Sequence, residues 1–119
     1  MNAKYAFQGA LVAAGVGFAA WAATAQGNTT WADVEPILDA NCTRCHGSSH
    51  PTGLDLRSYA SVLAGSNRGA VVVADDADNS LLVRKIRGQA GALMPRGGPA
   101  LSDADIATIV AWVTAGMPE

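Results

Sequence analysis

Residues that bind metals or carry out redox chemistry are scarce in this chain. Among 119 residues there are two cysteines and two histidines, all within residues 42–50. A structural zinc site asks for four ligands, usually from two separated pairs, and Cys42, Cys45, His46 and His50 offer one cysteine pair with no second knuckle. A dithiol redox motif asks for a βαβ setting, which the pattern lacks. The acidic cluster Asp75, Asp76 and Asp78 does not have EF-hand spacing and reads instead as negative charge near the positive end of a following helix. Positive charge is not in excess either: eight Lys and Arg face ten Asp and Glu, which counts against nucleic acid as a partner. There are no internal repeats.

What is present is concentrated. Cys42-Thr43-Arg44-Cys45-His46 spells C-x-x-C-H and uses both cysteines and one of the two histidines, the pattern of covalent c-type haem attachment. Two thiols at this spacing can each form a thioether with one haem vinyl group, while the adjacent imidazole binds iron from the same side. The free ring nitrogen of such a histidine usually donates to a backbone carbonyl that holds the ring. A disulfide between Cys42 and Cys45 would close a very short loop and gain little. The expected cofactor is one haem c, held by Cys42, Cys45 and His46.

The first 25 residues read as an export signal. Lys4 begins a weakly positive start, Gly9 to Ala23 is uncharged and apolar, and Ala23-Thr24-Ala25 offers a small-residue cleavage site. The competing reading is an uncleaved anchor, because Tyr5 to Ala25 is free of charge and a span needs about 20 residues; membrane contact is expected only in that case. Either way the remaining segment, 26–119, is expected outside the cytoplasm, in the periplasm. It is enough for one domain. Its seven Lys and Arg against ten Asp and Glu give a formal charge of −3. Its apolar content is modest, so a haem is expected to complete the core and the apoprotein to be largely unfolded.

Helical signals dominate this segment. Thr30 and Asp33 read as a capping box for a helix that carries Trp31, Val34 and Ile37 or Leu38 into Cys42, with Pro36 predicting a kink or a later start. Gly47 to Gly53 is a loop. A short helix is expected over Ser58 to Ala64, with Tyr59, Val62 and Leu63 on one side. Val71 to Val73 suggests a brief extended segment without a partner. Asp78 or Asn79 is placed as the cap of a helix through Arg87, with Leu81, Leu82 and Ile86 inward. The last helix is the clearest: Ser102 and Asp105 open it, Ile106, Ile109, Val110 and Val113 form its stripe, Trp112 flanks that stripe, and Gly116 and Pro118 end it.

Iron bound by His46 leaves a second axial position to assign. His50 is four residues past His46 and precedes Pro51, so the chain cannot easily carry it to the opposite face. Met94 lies in a loop between two expected helices, where Pro95 removes a competing amide and glycines permit close approach. Met117, beside the C-terminus, is expected to fray. Met94 is therefore the expected distal ligand, with Lys85 as a remote alternative. Arg57 and Arg96 read as surface charges before propionate partners, and Arg84, Lys85 and Arg87 as a solvated helix face before a docking patch.

Trp31-Ala-Asp-Val-Glu-Pro-Ile-Leu, Cys42-Thr-Arg-Cys-His-Gly, Gly53-Leu-Asp-Leu-Arg, Asn79-Ser-Leu-Leu-Val-Arg-Lys-Ile, Met94-Pro and Leu101-Ser-Asp-Ala-Asp-Ile-Ala before Trp112-Val together resemble the planctomycete-type cytochrome c domain. The resemblance implies an all-α, small class I cytochrome c-like fold with helices and loops wrapped around one haem. It also implies His46 as the proximal ligand, Met94 as the distal one, and first and last helices packed through Trp31 and Trp112. Arg96 stands where a second proline commonly follows Met-Pro, and Ala74-Asp75 where Pro-Gly is usual. Taken together, the residues point to a carrier of single electrons that meets redox proteins transiently, and not to an enzyme. A subunit of a larger oxidoreductase is the alternative, with a haem enzyme or gas sensor behind it.

Overall fold

Thr30 opens the first helix through its amide, which donates to the Asp33 carboxylate at 2.9 Å, and α1 runs Trp31–Asn41. These elements come from a computed structural model that describes residues 29–119, so the expected leader at 1–25 lies outside the described residues. Pro36 sits inside α1, which neither starts later nor stops there. Its ring lies on the exposed side, where water can serve the Ala32 carbonyl that loses its bond. Val34 and Leu38 turn inward and are 0% and 2% exposed.

The second helix, α2, spans Tyr59–Ala64. Ser58 caps it by accepting from the Ser61 amide at 3.2 Å, and Gly65, at φ 79°, ends it. Val62 is buried, but Leu63 is exposed, contrary to the sequence expectation. In a helix of six residues only a narrow stripe meets the core, and Tyr59 and Val62 fill it.

The expected helix from Asp78 through Arg87 is two elements. A 3-10 turn covers Ala77–Asn79, capped by Asp76, and α3 covers Leu81–Ile86 with Ser80 as its N-cap. Ser80 decides the break. Its buried hydroxyl donates to the Asp76 carbonyl at 2.9 Å and accepts from the Val73 amide at 2.8 Å. The chain is thereby held in a turn where propensity alone would continue a helix. Val71 and Val72 are buried, and the Leu82 amide donates to the Val71 carbonyl at 2.9 Å. Among the described residues no strand forms, only an isolated bridge between Ser66 and Gly69.

The last helix, α4, spans Asp103–Thr114, and the Asp105 amide donates to Ser102 Oγ at 3.1 Å as the sequence predicts. Gly116, at φ 93°, reverses the chain. The Gly116 amide then bonds the Val113 carbonyl and the Met117 amide bonds that of Trp112, at 3.0 and 2.9 Å, satisfying two orphan carbonyls of the helix end. Trp112 does not flank the apolar stripe. It is fully buried with Ile109 and Val113.

Met117 does not fray either; it is buried and belongs to the core. Three donors from three helices close on the residues that follow Gly116. Tyr59 Oη donates to the Met117 carbonyl at 2.7 Å, Trp112 Nε1 donates to the Pro118 carbonyl at 2.8 Å, and the Trp31 amide donates to the same carbonyl at 3.0 Å. The Trp31 ring lies 5.8 Å from Trp112 and 5.8 Å from Tyr59 between centroids. The first and last helices thus pack through the expected tryptophans, and the C-terminal residues lock them together. Among the described residues no helix is long and apolar enough to cross a membrane.

Candidate functional site

The cysteine motif continues the end of α1 as one further turn. The Cys42 and Thr43 amides both donate to the Leu38 carbonyl, at 2.7 and 3.1 Å, and the Cys45 and His46 amides both donate to the Cys42 carbonyl, at 3.2 and 2.9 Å. This ladder places Cys42, Cys45 and His46 on a single turn. The Leu56 amide, donating to the His46 carbonyl at 2.9 Å, ties that turn to the segment beyond the loop.

The two thiols are free and unlike in setting: Cys42 packs against the core and Cys45 is exposed. Burial, and then the neighbouring Cys45, pushes the Cys42 thiol up to about 11. At neutral pH the free thiol therefore stays protonated. One thiol at the core edge and one at the surface, on the turn that carries His46, suit a flat group held covalently across both.

Burial holds the His46 pKa below its ordinary value, with His50 acting in the same direction and the nearby Leu54 backbone opposing them. The ring is therefore neutral, the form that binds iron. Its Nδ1 is buried without a hydrogen-bond partner; the Leu54 backbone comes near but does not complete a bond. That leaves Nε2 for a ligand. His50 lies on the His46 side of the site, its ring stacked at 4.1 Å between centroids and 28° between planes.

Met94 is half-buried on the loop after α3, with its amide donating to the Lys85 carbonyl at 3.1 Å. It is anchored through α3, whose Leu82, Val83 and Ile86 enter the same core against which Cys42 packs. Arg96 is exposed. Arg57 is exposed but has a partner: its guanidinium grips Asp55 through Nε at 3.0 Å and Nη2 at 2.8 Å. This pair draws the Asp55 carboxyl down to about 2 and raises Arg57. The Arg57 stem borders Gly47, next to His46 in sequence.

Asp76 and Asp78 have structural roles. Asp76 accepts from the Asn79 amide at 3.3 Å, Asp78 pairs with Arg87 at 3.0 Å, and no group of three metal-ligating side chains occurs among the described residues. A separate open groove of about 580 Å³ runs along α4 past Arg87, Ile106 and Val110, and none of the motif residues lines it. What sequence reasoning missed is the His46–His50 stack. The four-residue spacing was a signal of proximity, but it served there only to rule His50 out as a second ligand.

No curated protein and no solved structure matches the chain. A family described as Planctomycete cytochrome C does match, over residues 42–98. The match takes in Cys42, Cys45, His46 and Met94 and leaves out α1 and α4, so it is narrower than the motifs at Trp31 and Leu101 suggest. Residues 42–98, which bring two thiols and a neutral imidazole together on one turn, thus match a c-type cytochrome domain, that of the planctomycete cytochrome C family.

Proposed function

We propose that this chain is a single-haem c-type cytochrome that carries one electron between redox proteins in the periplasm, with His46 and Met94 as the two iron ligands. The observation that carries this reading is the turn at the end of α1, which sets both cysteines and a neutral His46 side by side. Cys42 and Cys45 would hold the haem by thioethers, His46 Nε2 would bind one face of the iron, and the α3-anchored loop would bring the Met94 thioether to the other. Bound in this way, the haem supplies a one-electron iron couple, with no coordination site left open to substrate. The helices and the loops at 47–53 and 88–100 would wrap around it.

Several features support the finer points. Both cysteines are used by one motif, which argues for one haem. His50 stacks on His46 and so is not arranged as the opposite ligand. The apolar stretch at 9–23 with its small-residue cleavage site supports export. Partners would meet the protein through a small transient interface, with membrane contact only if the leader is retained.

The test is the optical spectrum of purified holoprotein beside Met94→Ala. The parent should show the weak long-wavelength band of ferric thioether ligation and bind carbon monoxide poorly. The variant should lose the band and bind carbon monoxide readily. A parent without the band refutes Met94 as ligand.

A further inference from the structure

A proximal imidazole is ordinarily held by a hydrogen bond from its Nδ1, which fixes the ring and makes it a more basic ligand. His46 Nδ1 is buried and completes no such bond, with only the Leu54 backbone near enough to act on it. A second imidazole lies against the ring instead. The His50 centroid is 4.1 Å from that of His46, with the planes 28° apart. Rings stacked in this way point their nitrogen lone pairs outward within planes that face each other, so the two do not converge on one metal.

His50 is itself fixed. The Thr52 amide donates to its Nδ1 at 3.1 Å, and Thr52 Oγ1 lies 2.8 Å from the same nitrogen. An amide can only donate, so Nδ1 accepts and the neutral ring carries its proton on Nε2. The loop is tied down in turn by Asn67, whose amide donates to the Thr52 carbonyl at 2.8 Å and whose side chain donates to the Pro51 carbonyl at 3.3 Å. A bond from the Gly53 amide to the His50 carbonyl, at 2.9 Å, closes the turn. This scaffolding holds one face of His46 covered.

We propose that His50 is a positioning residue for the haem ligand: by stacking, it sets the plane of the His46 ring, which the weak Leu54 backbone contact at Nδ1 leaves under-determined, and it keeps water from Nδ1. The inference rests on His46 as proximal ligand and does not need Met94. Two effects of removing His50 have the same sign. Water reaching Nδ1 would accept its proton and make His46 a more basic ligand, which favours ferric iron. Water near the iron would also solvate the more positive ferric state better. Both lower the reduction potential.

The test compares holoprotein of the parent with His50→Ala, His50→Phe and His50→Asn. Phenylalanine keeps a stacking ring without nitrogens, whereas asparagine keeps an acceptor for Thr52 without a ring. The readouts are the reduction potential at one pH and the pattern of haem-methyl shifts in the ferric proton NMR spectrum, which reports axial ring orientation. Alanine and asparagine should lower the potential and rearrange the methyl shifts; phenylalanine should restore the parent pattern. An alanine variant unchanged in both readouts overturns the inference. So does an asparagine variant that matches the parent while phenylalanine does not, since the loop bond to Thr52 would then be the active feature. A parent lacking the thioether band refutes Met94 alone; a parent with no covalent haem refutes the proposed function and this inference together.

Discussion

Tyr59 is where the three-donor clasp can be tested one atom at a time. Its hydroxyl donates to the Met117 carbonyl at 2.7 Å, across 58 positions of sequence. Tyr59→Phe removes that donor and keeps the ring that stands edge-on to Trp31 and Trp112. One net hydrogen bond plus a partly desolvated carbonyl left without a partner should cost about 1–2 kcal/mol. Removing Met117, Pro118 and Glu119 should cost more. That deletion takes away the acceptors of Trp31, Tyr59 and Trp112, at about 1 kcal/mol each. It also removes a buried Met side chain, worth about 1.5–3 kcal/mol. The sum, roughly 4–6 kcal/mol, is of the order of the whole stability of a small domain.

The decisive measurement is the cycle between the two changes, read by denaturant unfolding of holoprotein followed by far-ultraviolet circular dichroism. In the shortened chain the Tyr59 hydroxyl has lost its acceptor, so Tyr59→Phe should cost close to nothing there. The coupling energy should equal nearly the full cost of Tyr59→Phe in the intact chain. Equal costs in both backgrounds would mean that the hydroxyl acts elsewhere and that Met117 is not held as described.

The cysteine motif and the Asp55–Arg57 pair give two more predictions. Replacing both Cys42 and Cys45 by alanine should abolish haem retention on a denaturing gel, with either single variant leaving one thioether; retained haem in the double variant would refute covalent attachment. Arg57 holds the Asp55 carboxyl at about 2 in the folded protein, against about 3.9 for an unperturbed Asp. A depressed folded pKa stabilises above the unfolded value, so this contribution is complete above about pH 4 and is lost as the pH falls through about 2. Asp55→Asn should therefore remove part of the acid sensitivity in that window and leave the profile above pH 5 unchanged in shape; identical acid titrations would show that the pair does not contribute.

Where chemistry imposes contiguity, the sequence was readable. Two thiols and an imidazole offered to one haem from one turn are written contiguously as C-x-x-C-H, and the structure bears this spacing on one turn. Helix ends with their own side-chain caps were readable for the same reason: Ser102 and the Asp33 carboxylate act on amides three residues away. Features that depend on distant backbone were not. Gly116 and Pro118 look like a loosening end, yet Gly116 supplies the left-handed turn and Pro118 a carbonyl that two tryptophans share. Carbonyls carry no residue identity, so no pattern announces them as acceptors. Ser80 likewise gives no sign in sequence that its hydroxyl is enclosed between Val73 and Asp76.

The clasp and the cysteine motif sit at opposite ends of one element. α1 has 11 residues, which at 1.5 Å per residue is about 16 Å. Its first amide is held by Pro118, and its last turn runs into Cys42 through the Leu38 carbonyl. A helix is stiff along its axis, so fixing the start of α1 against α4 also fixes the direction in which Cys42, Cys45 and His46 are presented. The weak point lies between them, at Pro36, where one rung of the ladder is missing. Val34 and Leu38, both buried on the inward face, bridge that gap by packing. The core thus supports a rung that hydrogen bonding leaves out. Loosening of the C-terminal clasp would then be felt at the cysteine turn as lost alignment well before α1 itself unwinds.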